Sequence, residues 1–118
     1  MLPSSSAIEV REYLDRSGRD PFREWFEGLN WEAARKVTVA LYRVALGNFS
    51  NVRSLGSGVF ECKIHFGQGY RTYFGKDGER IVIVLGGGTK KTQQSDIALA
   101  IRRWDDYKRR RKQRKGQA

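Results

Sequence analysis

One cysteine and one histidine in 118 residues leave this chain without a disulfide and without a Cys/His zinc site. Cys62 falls on the apolar side of an alternating run and reads as a buried thiol with no chemistry of its own. Carboxylates are scarce in the second half. Residues 61–118 hold only Glu61, Asp77, Glu79, Asp96, Asp105 and Asp106, too scattered for the converging set that a two-metal nuclease needs, so no metal or other cofactor is expected. No apolar run is long enough to span a bilayer, and the start MLPSSSAIEV has neither the basic residues nor the apolar core of a leader. The cytosol is the expected compartment, with no membrane partner. Repeats are also lacking, and the length suits one domain with a core of its own.

Positive charge, by contrast, is abundant and uneven. Residues 1–60 carry 8 Lys/Arg against 7 Asp/Glu and residues 61–118 carry 15 against 6, so almost all of the net +10 belongs to the second half. A charge gathered in this way points to a polyanion, and nucleic acid is the expected partner. Seven of the eight residues from Lys108 to Lys115 are basic. Self-repulsion in that run predicts a disordered tail over 108–118, following a single folded domain over 1–107. Lys108, Arg109, Arg110 and Arg111 are its candidate phosphate contacts.

Glycines mark the turns of a central antiparallel meander. Phe60, Cys62, Ile64 and Phe66 alternate with Glu61, Lys63 and His65, a period of two that predicts a strand with one buried and one polar face. Gly67-Gln68-Gly69 predicts the first reversal and Gly75-Lys76-Asp77-Gly78 the second, with Tyr70–Phe74 between them. Ile81–Leu85 is apolar throughout and mostly β-branched, as in an interior strand covered on both faces. Gly86-Gly87-Gly88 then ends the run as a hinge or as a close approach of backbone to a ligand.

The flanks supply helices. Ala7–Leu14 alternates as a first strand. Asp20 caps a helix with Pro21 at its first position, and Phe22, Trp25, Phe26 and Leu29 form one stripe, spaced for core packing rather than for stacking on bases. Asn30 caps a second helix from Trp31 to about Leu46, with Ala34, Val37, Leu41 and Val44 inward and Gly47 as its stop. Asn48–Gly58 reads as an irregular loop without assigned chemistry. Ser95 caps a last helix with Ile97, Ala100, Ile101, Trp104 and Tyr107 on one stripe. The fold class is α+β: strand, helical hairpin, three-stranded antiparallel meander, C-terminal helix.

This order, with FECKIHFGQGYRTYF and the later GGGTKKTQQSDI, resembles the RelE/ParE superfamily of bacterial toxins, closest to the HigB-like, phage-related addiction module killer branch. The resemblance implies a RelE-like fold and the toxin of a type II toxin-antitoxin system. It further implies a ribosome-dependent, metal-independent mRNA endoribonuclease, neutralised by a cognate antitoxin such as a HigA-like helix-turn-helix protein. Its basic positions fall on Lys63, His65 and Arg71, with Lys90 or Lys91 after the last strand. Where relatives carry a catalytic aromatic or histidine, this chain reads Gln93-Gln94-Ser95-Asp96, which leaves Lys91, Asp96 and His65 as candidates for the general acid.

The residue types suit such chemistry. Cutting RNA through its own 2′-hydroxyl requires a base, a cation for the phosphorane oxygens and an acid for the 5′-oxygen. The guanidinium of Arg71 matches phosphate bidentately. An imidazole exchanges protons near neutral pH, which makes His65 a candidate, with Lys63 beside it. Tyr70 and Tyr73 are candidates for stacking on bases. Two alternatives use the same features differently: a ParE-like inhibitor of DNA gyrase without nuclease chemistry, and a plain RNA- or ribosome-binding module.

Overall fold

The computed structural model describes residues 7–117; Met1–Ser6, expected as a loose end, lie outside the described residues. Five strands form one sheet: β1 (Glu9–Glu12), β2 (Val52–Gly56), β3 (Val59–Ile64), β4 (Tyr70–Asp77) and β5 (Ile81–Thr89), in the order β1-β5-β4-β3-β2. The strands β2 to β5 are antiparallel neighbours, whereas β1 joins β5 in parallel. Helices α1 (Pro21–Glu27) and α2 (Trp31–Ala45) cover one face of the sheet, and α3 (Gln93–Gln117) crosses the other. Among the described residues no helix is long and apolar enough to cross a membrane.

The helix starts follow local chemistry. The Asp20 carboxylate accepts the N–H of Arg23, with Pro21 at the first helical position, and the Asn30 side chain accepts the N–H of Ala33. Phe22 is buried, and Trp25, Phe26 and Leu29 pack around it, so the aromatic stripe is core. On the opposite face Trp104 and Ala100 of α3 close over Val59, Tyr73, Ile83 and Leu85.

Four expectations need correction. The segment Asn48–Gly58 is not all irregular: Val52–Gly56 pairs with β3 as an edge strand, and Val52 and Leu55 are half-buried at alternate ends of a run too short to show its period. The meander therefore has four strands. The second reversal lies at Gly78–Arg80, because Gly75 is inside β4 opposite Val59 and Ile83. The triple glycine is neither hinge nor ligand approach. It stays in β5, and side chains from both faces press on it, with a Cβ on Gly86, Gly87 or Gly88 meeting Arg103, Trp25 or Asp96 respectively. Last, residues 108–117 are not a disordered tail. They continue α3, so the boundary expected after Tyr107 does not exist.

Gly87→Ala tests this packing directly, since the added carbon would sit 2.3 Å from the Trp25 ring. Overpacking of a filled core costs about 1–3 kcal/mol. A corresponding fall in the urea midpoint at unchanged slope is the expected result.

Candidate active site

Where β3 and β4 run past the start of α3, the α3 face of the sheet turns polar. Lys63 and Arg71 are direct partners across the two strands, two residues along from the pair Glu61 and Tyr73. These side chains share one face because residues two apart on a strand point the same way. His65 lies just beyond β3, in the loop that leads through Gly67 and Gly69 to β4. The 3-10 turn Lys90–Thr92 brings Lys90 to the same corner, with its N–H 3.4 Å from the Gly69 carbonyl.

Two adjoining clefts meet here. One, of about 350 Å³, is lined by Lys63, His65, Gln68, Arg71 and Lys90; the other, of about 450 Å³, by Asn51, Arg53, Glu61, Lys63, His65, Arg71 and Gln93. Lys63, His65 and Lys90 are exposed, whereas Arg71 is 5% exposed and forms part of the floor. Of the expected polar face of Glu61, Lys63 and His65, Lys63 and His65 are exposed and Glu61 is buried.

Glu61 explains the burial of Arg71. It is 2% exposed, and its carboxylate accepts from Arg53 Nε at 2.8 Å and from Gln93 Nε2 at 2.8 Å. Arg71 Nε stands 3.6 Å from Glu61 Oε2, a charge contact too long for a hydrogen bond. Burial pushes the Glu61 carboxyl up, but the donors on Arg53 and Gln93 and the charges of Arg53 and Arg71 outweigh it, and the group ends below its ordinary value. The carboxylate is thus ionised and committed, while Nε and Nη1 of Arg71 have no hydrogen-bond partner within the protein. A guanidinium held by charge with donors uncommitted is suited to an anionic oxygen.

The other expected site residues lie elsewhere or are occupied. Lys91 is exposed on the 3-10 turn and lines neither cleft. Asp96 accepts from Thr92 Oγ1 at 2.5 Å and rests on Gly88, in the first turn of α3, where a carboxylate complements the helix dipole. Tyr70 is buried against Trp25 and Phe66, and Tyr73 is fully buried, with burial chiefly driving its hydroxyl above the ordinary value. Neither is available to stack on a base. Cys62 is buried, and burial raises its thiol as well.

The basic end of α3 is divided. Lys108 and Arg109 are exposed, but Arg110 bonds Asp106 at 2.7 Å and stacks on Tyr13, and Arg111 pairs with Asp77. Two of the four supposed RNA contacts fasten the helix to the body. Residue 108 also lies about 22 Å along α3 from Gln93, by helical rise, at the far end from the clefts.

Sequence reasoning missed Arg53 and Gln93. The gathering of donors around one carboxylate leaves no local pattern, since Arg53, Glu61, Arg71 and Gln93 come from four separate elements.

Comparison with known proteins adds a family. The profile described as phage derived protein Gp49-like (DUF891) matches residues 24–105. The chain belongs to this family. It is a toxin-like family related to the RelE/ParE type II toxins. The matched span includes every residue of the two clefts and leaves out β1 and the basic end of α3. An uncharacterised protein of Haemophilus influenzae is 40% identical over 80 residues, which cover 67% of this chain and 81% of that protein.

Proposed function

We propose that this Gp49-like chain is the toxin of a type II toxin-antitoxin system and cuts mRNA on the ribosome, without a metal ion, by attack of the 2′-hydroxyl on the adjacent phosphate. The observation that carries this reading is Arg71, a buried guanidinium with two uncommitted donors, on the floor of clefts lined by Lys63, His65 and Lys90. A phosphate entering the clefts would draw Arg71 toward its non-bridging oxygens while Glu61 holds the guanidinium from behind. The negative charge that builds up in the phosphorane is then met by a cation positioned in advance.

Proton transfer falls to Lys63 and His65. Both are exposed at the mouth, as a group that exchanges protons with solvent between turnovers must be. The 2′-oxygen bonds to phosphorus as its proton leaves, and the 5′-oxygen departs with a proton, giving a 2′,3′-cyclic phosphate and a 5′-hydroxyl. Asp96 and Lys91 are not needed as the acid. A cognate antitoxin, HigA-like in the expectation above, and the ribosome complete the system as proposed partners.

An in vitro translation reaction with a defined mRNA, followed by primer extension, tests this. Sequence-specific 3′ truncations bearing a cyclic phosphate are expected, and a 2′-deoxy nucleotide at the scissile position should abolish them. Intact mRNA with inhibited supercoiling would instead favour the gyrase reading.

A further inference from the structure

The two clefts differ in what they offer a nucleotide. Arg71 lines both, so a phosphate held there sends the nucleosides on its two sides one into each cleft. In the cleft of about 350 Å³, Lys63, His65 and Lys90 stand beside Gly67 and Gly69, a lining of basic side chains and bare backbone. That suits a sugar-phosphate chain. The cleft of about 450 Å³ is also lined by Arg53 and Gln93, whose side chains carry the donors and the acceptor that read the edge of a base.

Arg53 is the better placed of the two. It sits on the edge strand β2 directly opposite Glu61, and its Nε donates to Glu61 Oε1 at 2.8 Å. This bond fixes the plane of the guanidinium, and among the described residues Nη1 and Nη2 make no hydrogen bond. The side chain is 62% exposed, so its free end faces the cleft while its root is held. Gln93 is held by the other carboxylate oxygen: its Nε2 donates to Glu61 Oε2 at 2.8 Å, which leaves its Oε1 as an acceptor. Glu61 thus orients a pair of donors and an acceptor side by side. Arg71 is on β4 and Arg53 on β2, two strands away and about 10 Å across the sheet at the usual strand spacing. That is the reach from a phosphate to the far edge of a purine on the neighbouring ribose, and a pyrimidine is one ring too short.

Resting on the reading of these clefts as an RNA-cleavage site, we propose that Arg53 selects guanine beside the scissile phosphate, with Nη1 and Nη2 donating to O6 and N7 and Gln93 Oε1 accepting from N1–H. Of the two common purines only guanine presents two acceptors on one edge with a donor adjoining them. Adenine puts its N6 amino group where O6 would be, so donor faces donor. Glu61 then holds Arg71 for the phosphate and Arg53 for the base from a single carboxylate.

Guanosine 3′,5′-bisphosphate carries a phosphate on either side of its ribose and can seat whichever way the strand runs. It tests the proposal by NMR titration of the full chain, with adenosine 3′,5′-bisphosphate for comparison. The guanine nucleotide should bind about 10- to 100-fold more tightly, the discrimination of a bidentate base contact, and should shift the Gln93 side-chain amide. The 7-deazaguanosine analogue lacks N7 and should lose about tenfold, as loss of a hydrogen bond to a charged group does. Arg53→Lys keeps a cation beside Glu61 but not the fork, so it should bring guanine down toward adenine and abolish the deaza penalty. If Arg53 only supported Glu61, this variant would weaken all three nucleotides alike, and the proposal would fall. Equal binding of the guanine and adenine nucleotides, or binding of neither at millimolar concentration, overturns it too. Cuts mapped along a transcript should adjoin guanine, and an unbiased spread would remove the base selection alone. A protein that prefers the guanine nucleotide yet never cuts RNA would sink the proposed function and leave the base site in place.

Discussion

Replacing Arg71 by alanine is expected to lower the single-turnover rate of mRNA cleavage by about 10² to 10³, the loss that follows removal of one preorganised donor from an oxyanion site. In the proposed mechanism its two uncommitted nitrogens and its place between the clefts suit it to the phosphate rather than to the proton. Arg71→Lys should recover only part of the rate, because an ammonium keeps the charge but not the planar fork. The variant also loses a buried side chain, so activity must be compared below its own unfolding temperature. A folded Arg71→Ala protein with full activity would remove Arg71 from the site.

Lys63→Ala serves as the contrasting case. Its side chain is exposed and makes no ion pair among the described residues, so stability should not change, while the rate should fall by about 10² to 10⁴ if Lys63 moves a proton. Equal and large stability losses in both variants would mean that the two residues support the sheet and little else.

Much of the fold could be read from period and punctuation. The caps at Asp20 and Asn30, the alternation over Phe60–Ile64 and the unbroken apolar run of β5 each record a local rule, and each led to the right element. What failed was whatever depends on partners distant in sequence. The edge strand β2 exists because β3 offers it hydrogen bonds, and the glycines of β5 are explained only by Trp25, Arg103 and Asp96 arriving from two helices. The basic end of α3 misled in the same way: counted alone its charges repel, but Asp77 and Asp106 neutralise Arg111 and Arg110 and the helix continues. For the candidate site, Lys63, His65, Arg71 and Lys90 were legible as a basic row. The burial of Arg71 was not, because alternation marks a face as polar without saying whether α3 covers it.

The largest stability effect should come from Glu61. Glu61→Ala removes the one carboxylate that pairs with Arg71 among the described residues; the Arg71 side chain is 6% exposed, and the change leaves this buried cation without that counter-charge. Breaking a buried pair by deleting one member costs about 3–5 kcal/mol, a large share of the 5–15 kcal/mol typical of a domain, and a fall in Tm on the order of 10–20 °C follows. Glu61→Gln should cost less, since the amide oxygen can still accept from Arg53 or Gln93. It also isolates the role of charge. The Glu61 carboxyl is held below its ordinary value of 4.5 in the folded protein, so its stabilisation is present above that pH and is lost as pH falls through the lower folded value. Wild-type stability should therefore drop on acidification more steeply than that of Glu61→Gln, and the two curves should converge at low pH. In the cleavage assay the same variant should lower kcat more than it raises KM, because a misplaced Arg71 still attracts RNA but no longer meets the phosphorane. Parallel pH curves, with a normal Tm for Glu61→Ala, would show that Arg53 and Gln93 grip a carboxylate that Arg71 does not need.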